Sequence, residues 1–330
     1  MPEPRTDLLR DRSRPQGSGH AGSDPGPPAA GPLTEDGLVR VVLAPEVDTF
    51  NVALPRMSGS LHQSGRASGP NEVVVRDHGI LQVGHIAMGY PMLGADDVAD
   101  EALVVALVLD TPEGARWDGT DLRRGTVAVY QGGGHHQASD LAGMRVGFVV
   151  VSDEACLEAA DVLGRTLTRP SAGFMAPDDA ATFLSVFEQT AFGEDPAPLL
   201  AALATLRSTA TSAAGARRQD SRRIVRQAID FVQETGSLLP SSMGLCRATA
   251  ASERSLQMAF LEVHGTTPSR FFRRRALSMA RSSLVSKPPS RSPVSRVAQD
   301  FGFAHVSRFA SYYREQFGEQ PSATLVRAGR

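Results

Sequence analysis

The stretch "VSRVAQDFGFAHVSRFASYYREQFGEQPSATL" (Val294–Leu325) decides how the chain reads. Apolar residues recur at helical spacing up to Asp300 and again across His305–Gln316, with Gly302 between and Gly318 followed by Pro321. Glycine enters left-handed backbone without steric cost and so stops helices, whereas proline suits the first turn of the next one. A short helix, a tight turn, a second helix and a Gly-x-x-Pro exit together describe a helix-turn-helix unit.

The pattern occurs twice. Leu256, Phe260, Gly265 and Pro268 are answered by Phe309, Tyr313, Gly318 and Pro321, each 53 positions later. Leu245 is matched in the same way by Ala298, and Ser252 by His305. On each second helix an apolar set (Leu256, Ala259, Phe260; Phe309, Tyr312, Tyr313) is expected to face inward, leaving a polar face to read a major groove. A connecting helix is expected over Arg270–Leu284, with Phe272, Leu277, Ala280 and Leu284 inward. Helices fill the rest of this half. Ser292-Pro293 gives one start, and Gly236, Gly265, Gly302 and Gly318 give stops.

Charge divides the chain at the same place. Met1–Ala216 carries 15 Lys+Arg and 28 Asp+Glu, a net of −13; Arg217–Arg330 carries 19 and 8, a net of +11. All but one of those 19 are arginine, Lys287 being the only lysine. Such asymmetry suits one half meeting a polyanion. The two cysteines, Cys156 and Cys246, are too few for a disulfide framework or a cysteine zinc site. With no apolar signal region and no run of roughly 18 apolar residues, a cytoplasmic, nucleoid-associated protein is expected, with no membrane partner.

The acidic half reads differently. Residues 1–37, rich in Pro, Gly and Ser, are expected to be a disordered tail, and Met57–Asn71 a long loop. Up to about residue 151, valine-rich runs such as "NEVVVRDHG", "EALVVALVLD" and "MRVGFVVV" alternate with turn signals, the mark of an all-β sandwich or barrel. Helices are expected over 152–212, in "SDEACLEAADVLGRTL", "PDDAATFLSVFEQTAF" and "PAPLLAALATLRSTATSAA", with "TSAAGARRQDS" as a linker. The fold class is α+β: a β domain with following helices over 38–215, then an all-α domain over 216–330.

The stretches "SERSLQMAFLEVHGTTPSRFFRRRALSMARSSL" and Val294–Leu325 together resemble the C-terminal region of AraC/XylS-type bacterial transcription regulators. The most diagnostic residues are Ala298, Gly302-Phe303, Ser307-Arg308-Phe309, Tyr313, Phe317-Gly318 and Pro321-Ser322. The resemblance implies two helix-turn-helix subdomains reading double-stranded promoter DNA from one side. It places Arg254, Ser255, Gln257 and Met258 of a first recognition helix toward DNA, and His305, Val306, Ser307, Ala310 and Ser311 of a second. Arginine pairs with guanine and glutamine with adenine, so Arg254 and Gln257 are the candidates for base readout. Family members often have a basic residue where Met258 stands. Arg308 is either a phosphate contact or a packing residue, and Arg273, Arg274 and Arg275 a solvated face near phosphate. The resemblance further implies an activator that recruits RNA polymerase, whose N-terminal domain forms a homodimer through helices within Leu157–Ala210, binds a small-molecule effector, or does both.

The acidic half resembles the cupin-like jelly-roll sensor of the same family. "GTVAVYQGGGHHQASD" fits the second cupin motif loosely, as a hairpin at one end of the barrel. No His-x-His with a following glutamate precedes it, so three protein ligands for a catalytic metal are lacking and no metal or cofactor is expected. His136, Trp117 (placed in an inter-strand loop) and Tyr130 are the candidate effector residues, and His135 is expected to be exposed. Asp96–Asp97 and Asp178–Asp179 read as loop and helix-start charges. Without a nucleophile elbow, phosphate loop or paired carboxylates, the chain is not expected to be an enzyme. Two other readings stay open: a repressor or architectural binder without effector, and a cupin-type metalloenzyme fused to a DNA-binding unit.

Overall fold

The computed structural model describes residues 38–43, 57–79, 81–98, 102–117, 119–131, 135–139, 142–152, 173–175, 180–203, 206, 213–286 and 294–328. The N-terminal part is built of strands β1 (Leu38–Leu43), β2 (Met57–Gln63), β3 (Asn71–Asp77), β4 (Leu81–Ala87), β5 (Met92–Val98) and β6 (Ala102–Asp110). Six more follow: β7 (Arg116–Trp117), β8 (Thr120–Asp121), β9 (Val127–Gln131), β10 (His135–Ser139), β11 (Arg145–Ser152) and β12 (Gly173–Met175). They form two sheets, one of seven strands in the order β1-β3-β4-β11-β6-β9-β12 and one of five in the order β2-β5-β10-β7-β8. Every pairing is antiparallel.

Strand β6 shows why the larger sheet forms where it does. Val104, Ala106 and Val108 join one core cluster with Met92 and Trp117 of the smaller sheet. Leu103, Val105, Leu107 and Leu109 point the other way, onto helices α1 (Ala181–Thr190) and α2 (Ala197–Leu203). A strand covered on both faces reads as a continuous apolar run, which is what "ALVVALVL" is. On the neighbouring β11, a side chain at Gly147 would lie 2.5 Å from the Phe187 ring, so the missing Cβ is what lets α1 lie flat on the sheet.

The C-terminal part is helical: α3 (Ala213–Thr235), α4 (Ser242–Thr249), α5 (Glu253–His264), α6 (Pro268–Ser286), α7 (Val294–Asp300), α8 (Val306–Phe317) and α9 (Pro321–Ala328). It holds two core clusters. Leu245, Leu256, Phe260, Phe271 and Phe272 pack with α3, and Leu277, Ala280, Leu284, Ala298, Phe309 and Tyr313 pack together farther along. Gly236, Gly265, Gly302 and Gly318 all have positive φ, as their reading as helix stops requires.

Several expectations are corrected. Met57–Asn71 is not all loop, because β2 pairs along its whole length with β5. Asp96 and Asp97 lie in strand β5, not in a loop. The linker "TSAAGARRQDS" is mostly helix, since α3 begins at Ala213; Ala, Arg and Gln favour helix, and small residues alone do not break one. The expected β9–β10 hairpin is absent: β9 pairs with β6 and β12, β10 with β5 and β7, and neither keeps a free edge for the other. The chain instead passes there from one sheet to the other. Leu199, Leu200, Ala202 and Leu203 are already buried within the chain, so the apolar face of α2 is not a dimer surface. The helix expected over 152–167 begins on Ser152, the last residue of β11; the rest of it, the tail 1–37, Cys156, Asp178–Asp179 and Ser292-Pro293 lie outside the described residues.

Candidate nucleic-acid interface

Each recognition helix is set by its own entry turn. Ser241 caps α4 by accepting from the Gly244 amide at 3.1 Å, and Ser252 caps α5 by accepting from the Ser255 amide at 3.1 Å. These bonds satisfy helix-start amides that would otherwise lack a partner. Between the two helices Ala250 adopts φ 49°, the only positive φ outside glycine among the described residues. The second unit puts Gly302 in this role, at φ 84°, and takes one residue more to reach its N-cap. That N-cap, His305, makes no side-chain capping bond.

Leu256, Ala259, Phe260 and Val263 turn inward on α5, leaving Arg254, Ser255, Gln257 and Met258 exposed on the outer face. Met258 is 57% exposed, a large apolar side chain in contact range of whatever the face meets. The Ser255 hydroxyl lies 2.9 Å from the Ser252 hydroxyl, so it partly serves the cap. On α8, Phe309, Tyr313 and Phe317 are buried, and His305, Val306, Ser307, Arg308 and Ser311 are exposed. The Ser311 hydroxyl donates back to the Ser307 carbonyl at 3.0 Å, spending its proton inside the helix. Arg308 is exposed, which removes the packing alternative. The second face keeps His305, Ser307 and Arg308 as donors, against Arg254, Gln257 and the partly engaged Ser255 on the first.

Behind these faces the units are locked differently. Phe260, His264, Phe271 and Phe272 form a ring cluster, with Phe260 and Phe271 edge-on at 5.3 Å. In the second unit Glu319 accepts from Arg281 at 2.7 Å, Thr324 at 2.8 Å and Arg327 at 2.8 Å, and Thr324 meets the Tyr313 hydroxyl at 2.8 Å. Burial raises the Glu319 pKa, but the bonds from Arg327, Thr324 and Arg281 outweigh it and bring the carboxyl down from 4.5 to about 2. Burial likewise raises the Tyr313 phenol, partly offset by Arg281 and Thr324.

The arginines of α6 do not form one solvated face. Arg275 is buried, its Nε donating to His62 Nε2 at 3.2 Å, and burial lowers its pKa. Arg273 is half-buried and lies over the Tyr312 ring at 4.2 Å. His62 belongs to β2, so the sheets rest on the helical part here. Gln316 donates to the Gln63 carbonyl at 3.0 Å and Arg116 to the Leu261 carbonyl at 3.3 Å, bringing the contact to α8 and α5. No short-range pattern could have signalled these pairs, which lie 145 to 253 residues apart in sequence.

A family model described as a helix-turn-helix domain matches residues 245–327. The probable thc operon regulatory protein of Rhodococcus erythropolis is 36% identical over 102 residues, 31% of this chain and 31% of that protein. XylDLEGF operon transcriptional activator 2 of Pseudomonas putida is 37% identical over 97 residues, 29% of this chain and 62% of that protein. A probable AraC family transcriptional regulator from Rhodopseudomonas palustris CGA009, known by crystal structure, is 31% identical over 32% of this chain and 98% of that one, with a TM-score of 0.29. Residues 245–327 form an AraC/XylS-type helix-turn-helix domain. The match spans less than two thirds of either regulator's length, and it falls on the AraC/XylS-type helices α4–α9.

Of the residues implied for an effector, Trp117 and Tyr130 are buried between the sheets with ring centroids 4.9 Å apart. Trp117 lies in the short strand β7, not in a loop. His135 and His136 are in β10 opposite Asp97 and Asp96, and their side chains lie outside the described residues. Among the described residues, no group of three or more His, Cys, Asp or Glu is placed to hold a metal ion.

Proposed function

We propose that the chain is a sequence-specific regulator of transcription that binds double-stranded promoter DNA through α5 and α8. The observation that carries this reading is the exposed row Arg254, Ser255, Gln257 and Met258 on a capped helix, inside the region matched to a helix-turn-helix family. Arg254 and Gln257 read bases. His305, Val306, Ser307, Arg308 and Ser311 set the second helix in its groove, chiefly through the backbone. The excess of arginine in this half supplies the phosphate-facing charge.

The remainder of the reading follows the family. Residues 38–215 act as a cupin-like sensor and residues 216–330 as the DNA-binding domain. The protein works as a homodimer, through a surface other than the buried face of α2, and as an activator that engages RNA polymerase in the bacterial cytoplasm at the nucleoid. The activator names of its xyl-operon relatives support that direction. Among the described residues no helix is long and apolar enough to cross a membrane.

Selection of bound duplexes from a random pool by the full chain is the test. The expected outcome is one enriched sequence whose affinity falls steeply with salt. Recovery of an unenriched pool at moderate salt would overturn the assignment.

A further inference from the structure

We propose that the junction between the sheets and the helical part is a binding site for a small, multiply charged oxyanion, a phosphate ester or a polycarboxylate. A cavity of about 250 Å³ opens there, lined by Arg66 from the segment after β2 and by Arg270, Arg273 and Arg274 of α6. The lining also holds Glu315 and Ser64, so its formal charge is strongly positive, four arginines against one carboxylate. The volume suits a compact ligand, since drug-sized molecules take roughly 300–1,000 Å³.

Two observations mark the cavity as built for a ligand. The first is Ser64, only 3% exposed, whose hydroxyl has no hydrogen-bond partner. A buried hydroxyl left unmade costs stability, and rotation of the Ser64 side chain into the cavity would give it an oxyanion acceptor. The second is the charge balance: neither Arg66 nor Arg270 forms an ion pair with any described residue. Arg66 lies against Gly318, the C-cap of α8, where a Cβ would come 3.1 Å from its Nε. The negative end of that helix holds the guanidinium in place without neutralising it. Planar guanidinium forks converging on one cavity match carboxylate and phosphoryl oxygens.

A DNA phosphate is the competing occupant, and the geometry disfavours it. At about 100° per residue, Tyr312 and Gln316 of the cavity stand about 140° round α8 from Ser307 and Ser311 of the outer face. Because one wall comes from the sheets and the other from α6 and α8, an oxyanion bridging them holds the two parts of the chain together. The site extends the regulator reading by giving its effector a chemical class, but it is measured without DNA, so either can fail alone.

The experiment is thermal unfolding of the full chain titrated with inorganic phosphate, pyrophosphate or citrate, against sodium chloride at equal ionic strength. A saturable rise in Tm above the chloride control is expected, and the stronger of the phosphoryl and carboxylate arms identifies the class. Arg66→Ser with Arg270→Ser, both exposed positions, should weaken the response at least about tenfold while leaving the anion-free Tm in place. Ser64→Ala should weaken it without abolishing it. No saturable response, or an equal one in the double variant, overturns the proposal. Stoichiometric displacement of the anion by a DNA duplex would instead assign the cavity to DNA phosphate.

Discussion

The two helix-turn-helix units occupy matching positions in the 53-residue repeat, yet they are held by opposite chemistry. Phe260, Thr266 and Phe271 of the first correspond to Tyr313, Glu319 and Thr324 of the second. In the first unit the trio is rings in edge contact, and the Thr266 hydroxyl is buried without a partner. In the second the same three positions form a chain of hydrogen bonds closed by Arg281 and Arg327. One backbone arrangement thus accepts either an apolar or a charged lock, the charged version joining its three positions and two arginines through one shared carboxylate.

The sharpest way to break the comparison is to empty one lock. Phe260→Ala should cost roughly 3–5 kcal/mol, as large-to-small core changes do. Hydrogen exchange should then show lost protection across α4 and α5 first, with α8 and α9 retained; simultaneous loss in both units would mean a single shared core. Glu319→Gln should cost roughly 2–3 kcal/mol by denaturant titration, because it leaves the buried Arg281 without its carboxylate. The same lock should respond to acid and the aromatic one should not. With the folded pKa of Glu319 at about 2 against an ordinary 4.5, its contribution is full above about pH 4.5 and is lost as the pH falls toward 2. Unfolding of α8 and α9 that is independent of pH across this window would contradict the assignment.

Alanine at Gln257 should reduce discrimination at one base pair by roughly 1–3 kcal/mol, whereas Ser307→Ala should change affinity without changing the preferred sequence. Competition binding against single-base operator variants separates these outcomes, and equal effects would erase the proposed division between reading and positioning. The smallest effect expected is a gain. Ala250→Gly relieves a left-handed alanine and should raise stability by up to about 1 kcal/mol, giving the first turn the residue type that the second already has at Gly302.

Helical structure was far more legible than sheet structure. In the C-terminal half, α4 to α9 coincide with the segments read from caps, glycines and apolar spacing, because those signals are local. Trp117 in β7 and Asp96–Asp97 in β5 were misplaced for a different reason. "MSGSLHQ" and "MLGADDV" have weak strand propensity and become strands by pairing with each other, a partnership no local pattern records. The outward faces of α5 and α8 follow from the apolar spacing of the repeat. Arg275 could not: its neighbours in "RFFRRR" look solvent-facing, and only His62, 213 positions away, explains its burial.

Helix α6 gives one rod to two cores: Phe271 and Phe272 near its start belong to the first, and Leu277, Ala280 and Leu284 to the second. Its 19 residues make a strut of about 28 Å with a fixed rotational phase. The two reading helices are therefore not free to adjust to each other. A binding site lengthened by one base pair between its halves would be displaced by about 3.4 Å and turned out of step, with no hinge in the strut to absorb the error.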